Sequence, residues 1–199
     1  MSDPSSTRER ILDATLVSFG TRGYEATSLD AVAASMGVRK QTILHHFGSK
    51  ERLLDALIDR SAGELSTALE EALAPAGRGF ERIDALVRAV FRLAARRPEL
   101  LGLVREISRL GPPAATRLTE ALEPLVERAR SFLTAEMASG AMRQQDPRLL
   151  LLSAYSTVIG VATEVEVLRA VGIEPTARSL IRRRNELLAF LRSALVPDS

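Results

Sequence analysis

Hydrophobic residues in this chain recur at helical spacing almost everywhere, and the alternation of a strand is nearly absent. In Thr7–Gly20, Ile11, Leu12, Leu16 and Phe19 fall within about 140° of one another at roughly 100° per residue, with Arg10 and Asp13 on the other side. Glycines and prolines then cut the pattern into lengths. Gly20 and Gly23 close the first helix. Thr27 or Ser28 can cap a short helix Leu29–Met36, with Asp30 in its first turn. Gly37 turns the chain sharply, and a third helix runs from Arg39 or Lys40 to Phe47. Gly48 breaks it, and Ser49 caps a fourth helix that continues to about Leu73. Behind it the spacing predicts helices at Phe80–Arg97, Pro98–Leu110, Ala114–Ser139, Arg148–Val171 and Thr176–Leu195, with a frayed Pro-Asp-Ser end. The expectation is an all-α chain of about nine helices, three short ones in front and longer ones behind.

Composition narrows the chemistry. The 199 residues, 46% hydrophobic and 26% charged, are enough for one large domain or two small ones. There is no Cys, which removes disulfides, thiol catalysis and Cys-zinc sites. The only histidines, His45 and His46, are neighbours that a helix would point about 100° apart, so they cannot chelate one metal together. No Gly-rich phosphate loop is present, and neither a cofactor nor a metal is expected. These absences disfavour an all-α enzyme. The polar Met1–Thr7 stretch lacks the apolar core of a signal peptide, and the longest uncharged apolar-rich run, Leu149–Thr163, is shorter than a membrane span. A cytoplasmic protein with no membrane partner is the expectation.

The net charge of +2 argues against a sequence-independent DNA-packaging protein, but its distribution is uneven. No acidic residue stands between Asp30 and Glu51, and the only two lysines, Lys40 and Lys50, fall in that gap with Arg39. Two short helices joined at a glycine, the second basic and free of acids, have the form of a helix-turn-helix. Ile43 and Phe47, at i and i+4, can anchor the second helix inward against Ile11, Leu16, Phe19 and Val32. Lys40, Gln41, Thr42, Leu44, His45 and His46 spread over its outer surface. Gln and Thr suit base edges, and Lys and His suit phosphates or guanine. Spacing alone leaves open an amphipathic three-helix packing unit whose charges are merely solvated.

The stretch Arg10-Ile11-Leu12-Asp13-Ala14 … Phe19-Gly20-Thr21-Arg22-Gly23-Tyr24-Glu25-Ala26-Thr27-Ser28 resembles the start of a TetR-family (tetracycline-repressor-like) transcriptional regulator. So does Val32-Ala33 … Met36-Gly37-Val38 … Thr42-Ile43 … His46-Phe47-Gly48-Ser49-Lys50-Glu51 … Leu54, at matching spacing over about residues 7–60. Gly140-Ala141-Met142-Arg143 … Asp146-Pro147 is similar to the loop that precedes the family's dimerisation helices. The resemblance implies a DNA-binding domain over 6–60 and an effector-binding and dimerisation domain over 61–199. It implies a homodimer, usually a repressor, with a double-stranded DNA operator and a small-molecule effector as partners. By position in the motif Lys40, Gln41 and Thr42 approach bases, while Leu44, His46 and Lys50, with Thr27 and Ser28, sit at or near phosphates.

Several positions depart from the family pattern. Arg39 stands where a capping Ser is common; it cannot cap but can contact DNA. Gln41 replaces a frequent Gly or Pro and adds a donor–acceptor pair suited to adenine. Leu44 replaces a Tyr whose hydroxyl reaches a phosphate, and His45 stands where an aromatic is common. Dimerisation is expected through the last two helices, where Ser153, Ser156, Thr157, Gly160 and Ala162 allow close approach and Leu180, Leu187, Leu188, Phe190 and Leu191 supply an apolar face. The candidate effector contacts are Leu101, Val104, Arg105, Ser108, Tyr155 and Thr163. With aromatics at only 4%, an apolar or amphipathic ligand fits better than a planar cation.

Overall fold

The computed structural model describes residues 4–197, and among them every regular element is an α-helix. The ten helices are α1 (Pro4–Arg22), α2 (Leu29–Ser35), α3 (Lys40–Phe47), α4 (Lys50–Leu73), α5 (Phe80–Arg96), α6 (Pro98–Leu110), α7 (Ala114–Ala138), α8 (Pro147–Thr163), α9 (Val165–Ala170) and α10 (Ala177–Leu195). The all-α expectation holds, with two local corrections. First, α1 runs through Gly20 and ends at Arg22; Gly23, at φ +89°, is the residue that turns the chain. Second, the single helix expected over Arg148–Val171 is two, α8 and α9, broken at Glu164. The Arg183 guanidinium from α10 donates to the Val161 carbonyl, the acceptor that an unbroken helix would use for the Val165 N–H. Of the end expected to be frayed, Asp198 and Ser199 lie outside the described residues.

The chain forms two compact units. The first comprises residues up to Glu64 together with Pro98–Leu122, and the second Leu65–Arg97 together with Glu123 onward. The sequence reading places one cut between 60 and 61, whereas each unit is built from two segments because α6 packs with the front helices. Ile11, Leu12, Leu16, Phe19, Val32, Ile43, Phe47, Leu53 and Leu57 share a core with Leu103, Val104 and Ile107 of α6. Two glycines permit this packing. A Cβ on Gly20 would stand 2.2 Å from the Glu99 carbonyl oxygen, and one on Gly102 would stand 2.3 Å from that of Gly20. The backbones of α1 and α6 therefore touch where no side chain intervenes.

The second unit has its own core of Phe80, Val87, Phe91, Leu133, Met137, Met142, Leu150, Val158 and the inner face of α10, Leu187, Leu188, Leu191 and Leu195. Asp146 caps α8 by accepting the Arg148 N–H at 2.8 Å, and Pro147 fills the first helical position, where its missing donor costs nothing. Thr176 and Ser179 form a reciprocal cap at the start of α10.

Candidate nucleic-acid interface

The turn between α2 and α3 is set by Gly37, at φ +66°, and by the Ala33 carbonyl, which accepts both the Met36 and the Val38 N–H. Ser28 caps α2: its Oγ accepts the Ala31 N–H at 3.1 Å, and the exposed hydroxyl keeps its proton to donate outward. On α3, Ile43 and Phe47 are buried against the front core as their spacing requires. Arg39, Lys40, Gln41 and His45 are exposed, and Thr42 and His46 are half-buried. Arg39 occupies the N-cap position with no side-chain cap bond, as an arginine must. Its guanidinium is left on the surface beside Lys40 and Gln41.

Two residues are placed differently from the expectation. Thr27 is buried, and its hydroxyl donates to the Gly23 carbonyl at 2.8 Å and the Ser18 carbonyl at 3.3 Å. It ties the turn to α1 and has no face toward solvent for a phosphate. Leu44 is half-buried and packs against the core, so it supports α3 from within as well as edging its surface.

Other contacts join residues far apart in sequence. Lys40 Nζ donates to Asp30 Oδ2 at 2.9 Å, pairing the first lysine of the acid-free stretch with the last carboxylate before it. The Arg8 guanidinium lies 5.2 Å from the centre of the Phe47 ring, so α1 covers the end of α3. Lys50, at the start of α4, is half-buried, with its ammonium 4.1 Å above the Tyr24 ring and 6.0 Å from that of Phe19. The Tyr24 ring meets Phe19 edge-on at 5.2 Å. Burial, and then the Glu51 charge, push the Tyr24 phenol up. The Tyr24 N–H donates to Glu106 Oε1 at 2.7 Å, and Arg109 grips the same carboxylate through Nε and Nη2, each at 2.9 Å. That grip holds the Glu106 carboxyl below the usual range. Spacing could not have found Glu106, which is 82 residues from Tyr24; the sole early sign for Asp30 is its place at the edge of the charge gap.

The six candidate effector contacts divide between the units. Leu101 and Val104 are buried, Val104 within the first core, and Ser108 turns its hydroxyl to the Val104 carbonyl of its own helix. Arg105, with Arg22, Glu106 and Arg109, lines an open cleft of about 450 Å³ in the first unit, walled by Gly20, Gly23 and Gly102. In the second unit Thr163 bonds the Ile159 carbonyl, and Tyr155 is exposed on α8. Leu149 and Leu152 are exposed on that same side, at 63% and 61%, and Phe190 on α10 is exposed at 59%. A Cβ on Gly160 would meet nothing within 4 Å, so this stretch of α8 is open. Of the expected small residues, Ser153 and Ser156 are exposed, Thr157 and Gly160 are half-buried, and Ala162 is buried. Among the described residues no helix is long and apolar enough to cross a membrane, and no His, Cys, Asp and Glu cluster is arranged to hold a metal.

A helix-turn-helix thus presents donors from a buttressed α3, and residues 11–57, which contain it, match the family described as bacterial regulatory proteins, tetR family. The transcriptional regulator BetI of Brucella canis is 31% identical over 149 residues, covering 68% of this chain and 75% of its own. The chain belongs to the tetR family of bacterial regulatory proteins. It is a helix-turn-helix transcriptional regulator, not an enzyme. The fold extends beyond the matched residues. FadR of Bacillus subtilis, solved with stearoyl-CoA, superposes with a TM-score of 0.76 at 22% identity, covering 94% of this chain and 98% of its own. AibR, solved with isovaleryl coenzyme A and operator DNA, superposes with a TM-score of 0.77 at 19% identity, covering 92% and 96%. At these identities the likeness is one of fold.

Proposed function

We propose that this tetR-family chain is a ligand-responsive repressor that binds a near-palindromic operator as a homodimer and is released by a small apolar or amphipathic effector. The observation that carries the DNA-reading part is α3 itself. Ile43 and Phe47 fix it from within, and Arg39, Lys40, Gln41 and His45 stand exposed on a helix without acids. Lys40, Gln41 and Thr42 read bases, and Ser28, His46 and Lys50 meet the backbone. Thr27 serves this surface by bracing the turn.

Homodimerisation accounts for Leu149, Leu152, Tyr155 and Phe190, large side chains exposed on two neighbouring helices beside the open Gly160. Tyr155 fits this face better than an effector pocket. Two α3 helices related by a two-fold axis then enter successive major grooves about 34–36 Å apart. The effector class draws support from FadR and AibR, which share the fold and were solved with acyl-coenzyme A ligands. An effector that binds better to a conformation with another helix spacing lowers operator affinity through its differential affinity for the two states.

Selection of bound sequences from a random duplex library, by the purified protein at physiological salt, tests the reading. An inverted repeat among the recovered sequences is the expected result. A folded protein that enriches no motif overturns sequence-specific regulation. Thermal stability measured across a lipid-like and a polar library tests the effector class; stabilisation by polar compounds alone rules out the apolar reading.

A further inference from the structure

We infer that Glu106, on α6, is a positioning residue for the DNA contact made by Lys50. The inference rests on the DNA-reading assignment above and adds a residue that no motif of the front domain contains. Tyr24 follows Gly23, where the chain leaves α1 at φ +89°, so its N–H has no partner within a helix. Glu106 supplies one at 2.7 Å. The carboxylate is itself immobilised: its side chain is only 11% exposed, and Arg109 holds both of its oxygens. α6 comes close enough because Gly20 and Gly102 bring the two backbones together, and because a Cβ on Gly23 would already stand 3.0 Å from Glu106 Oε1. The Tyr24 ring, wedged edge-on against Phe19, is in turn the platform over which the Lys50 ammonium sits at 4.1 Å. Four residues are therefore linked from α6 to the start of α4: Arg109 to Glu106, Glu106 to the Tyr24 backbone, and the Tyr24 ring to Lys50. Glu106 fixes the backbone from which the aromatic platform projects, and the platform restricts an otherwise flexible lysine to one place beside the duplex.

The test is the salt dependence of binding by the full-length protein to a duplex recovered by selection. The slope of log Kd against log salt counts phosphate contacts, at about 0.9 for each on B-DNA. Lys50→Ala lowers the slope by about that amount per chain. Glu106→Ala is expected to lower it comparably, to add nothing in the Lys50→Ala background, and to leave base preference unchanged. Glu106→Gln keeps an oxygen that accepts the Tyr24 N–H while removing the charge, and is expected to retain the native slope. A native slope in Glu106→Ala, a loss additive with that of Lys50→Ala, or an equal gain of affinity in the Ala and Gln variants would each overturn the inference. The last outcome would reveal a carboxylate acting only by repelling DNA. Should Glu106→Ala fold poorly, Tyr24→Leu keeps an apolar contact with Phe19 without the aromatic face and is expected to reproduce the lost slope. The slope is also readable on random-sequence duplex. Failure to recover any operator would therefore sink the regulatory reading while leaving this comparison intact.

Discussion

Gln41 and Lys40 stand side by side on α3, but Lys40 is paired within the protein, with Asp30. Gln41 is exposed on a helix fixed by Ile43 and Phe47, and its amide offers a donor and an acceptor that match an adenine edge. Gln41→Ala is expected to relax preference at one base pair per half-site, by about 1–3 kcal/mol, in a competition between operator variants. Equal losses on operator and random duplex would show that it reads no base. Lys40 is held by Asp30 at 2.9 Å, an exposed pair that adds little to stability but keeps a carboxylate close to the expected duplex. Asp30→Asn should strengthen binding to operator and random duplex alike, since it removes a repulsion without adding or removing a base contact. A changed ratio between the two would show instead that Asp30 aims Lys40 at a base. The gap in acids between Asp30 and Glu51 was legible in the sequence. The pairing of Lys40 across the turn was not, because it depends on how α2 and α3 cross.

Among the helices, α1 and α6 depend on each other most, and glycine is the reason. Gly20→Ala and Gly102→Ala would each drive a methyl group into backbone at 2.2–2.3 Å, which no side-chain rotation can relieve. Overpacking of this kind costs about 1–3 kcal/mol or more, read as a lowered denaturant midpoint. Gly160→Ala, whose Cβ meets nothing within 4 Å, should leave the fold of one chain unaffected. The same contact has a pH signature. Arg109 holds the Glu106 carboxyl below the usual range in the folded protein, so its stabilising contribution is complete above the ordinary carboxylate pKa and is lost as pH falls through the depressed value. Melting curves of the native protein and Glu106→Gln are therefore expected to converge with acidification. Curves that stay parallel through that range would show that the pair contributes nothing to stability. From the sequence, Gly20 reads as a helix end. Only the presence of α6 against it reveals why a glycine stands inside α1.

At the scale of the whole molecule, the exposed apolar side chains of α8 and α10 set the prediction. Leu152→Arg combined with Phe190→Arg changes two side chains that are about 60% exposed in the single chain, so each protomer should remain helical and folded. The expected result is a monomer in analytical ultracentrifugation that binds an isolated half-site but loses its preference for the inverted repeat. A dimer that persists unchanged would place the interface elsewhere.

Helix content, most helix ends, the turn at Gly37, the inward pair Ile43 and Phe47 and the basic surface of α3 could all be read from the order of residues. Each depends on spacing within a few turns or on a conformational preference carried by one residue type, such as a glycine at positive φ. What lay beyond reading involves partners distant in the chain. At the break between α8 and α9, Arg183 of α10 donates to a carbonyl that a continuous helix would use. Thr27 is withdrawn from the surface by carbonyls of Ser18 and Gly23. α6 joins the first compact unit, and Glu106 reaches Tyr24, because two helices meet backbone to backbone. Periodicity says which face of a helix is buried, but not which helix buries it. That choice is made by shape and by the few polar groups that packing leaves in need of a partner.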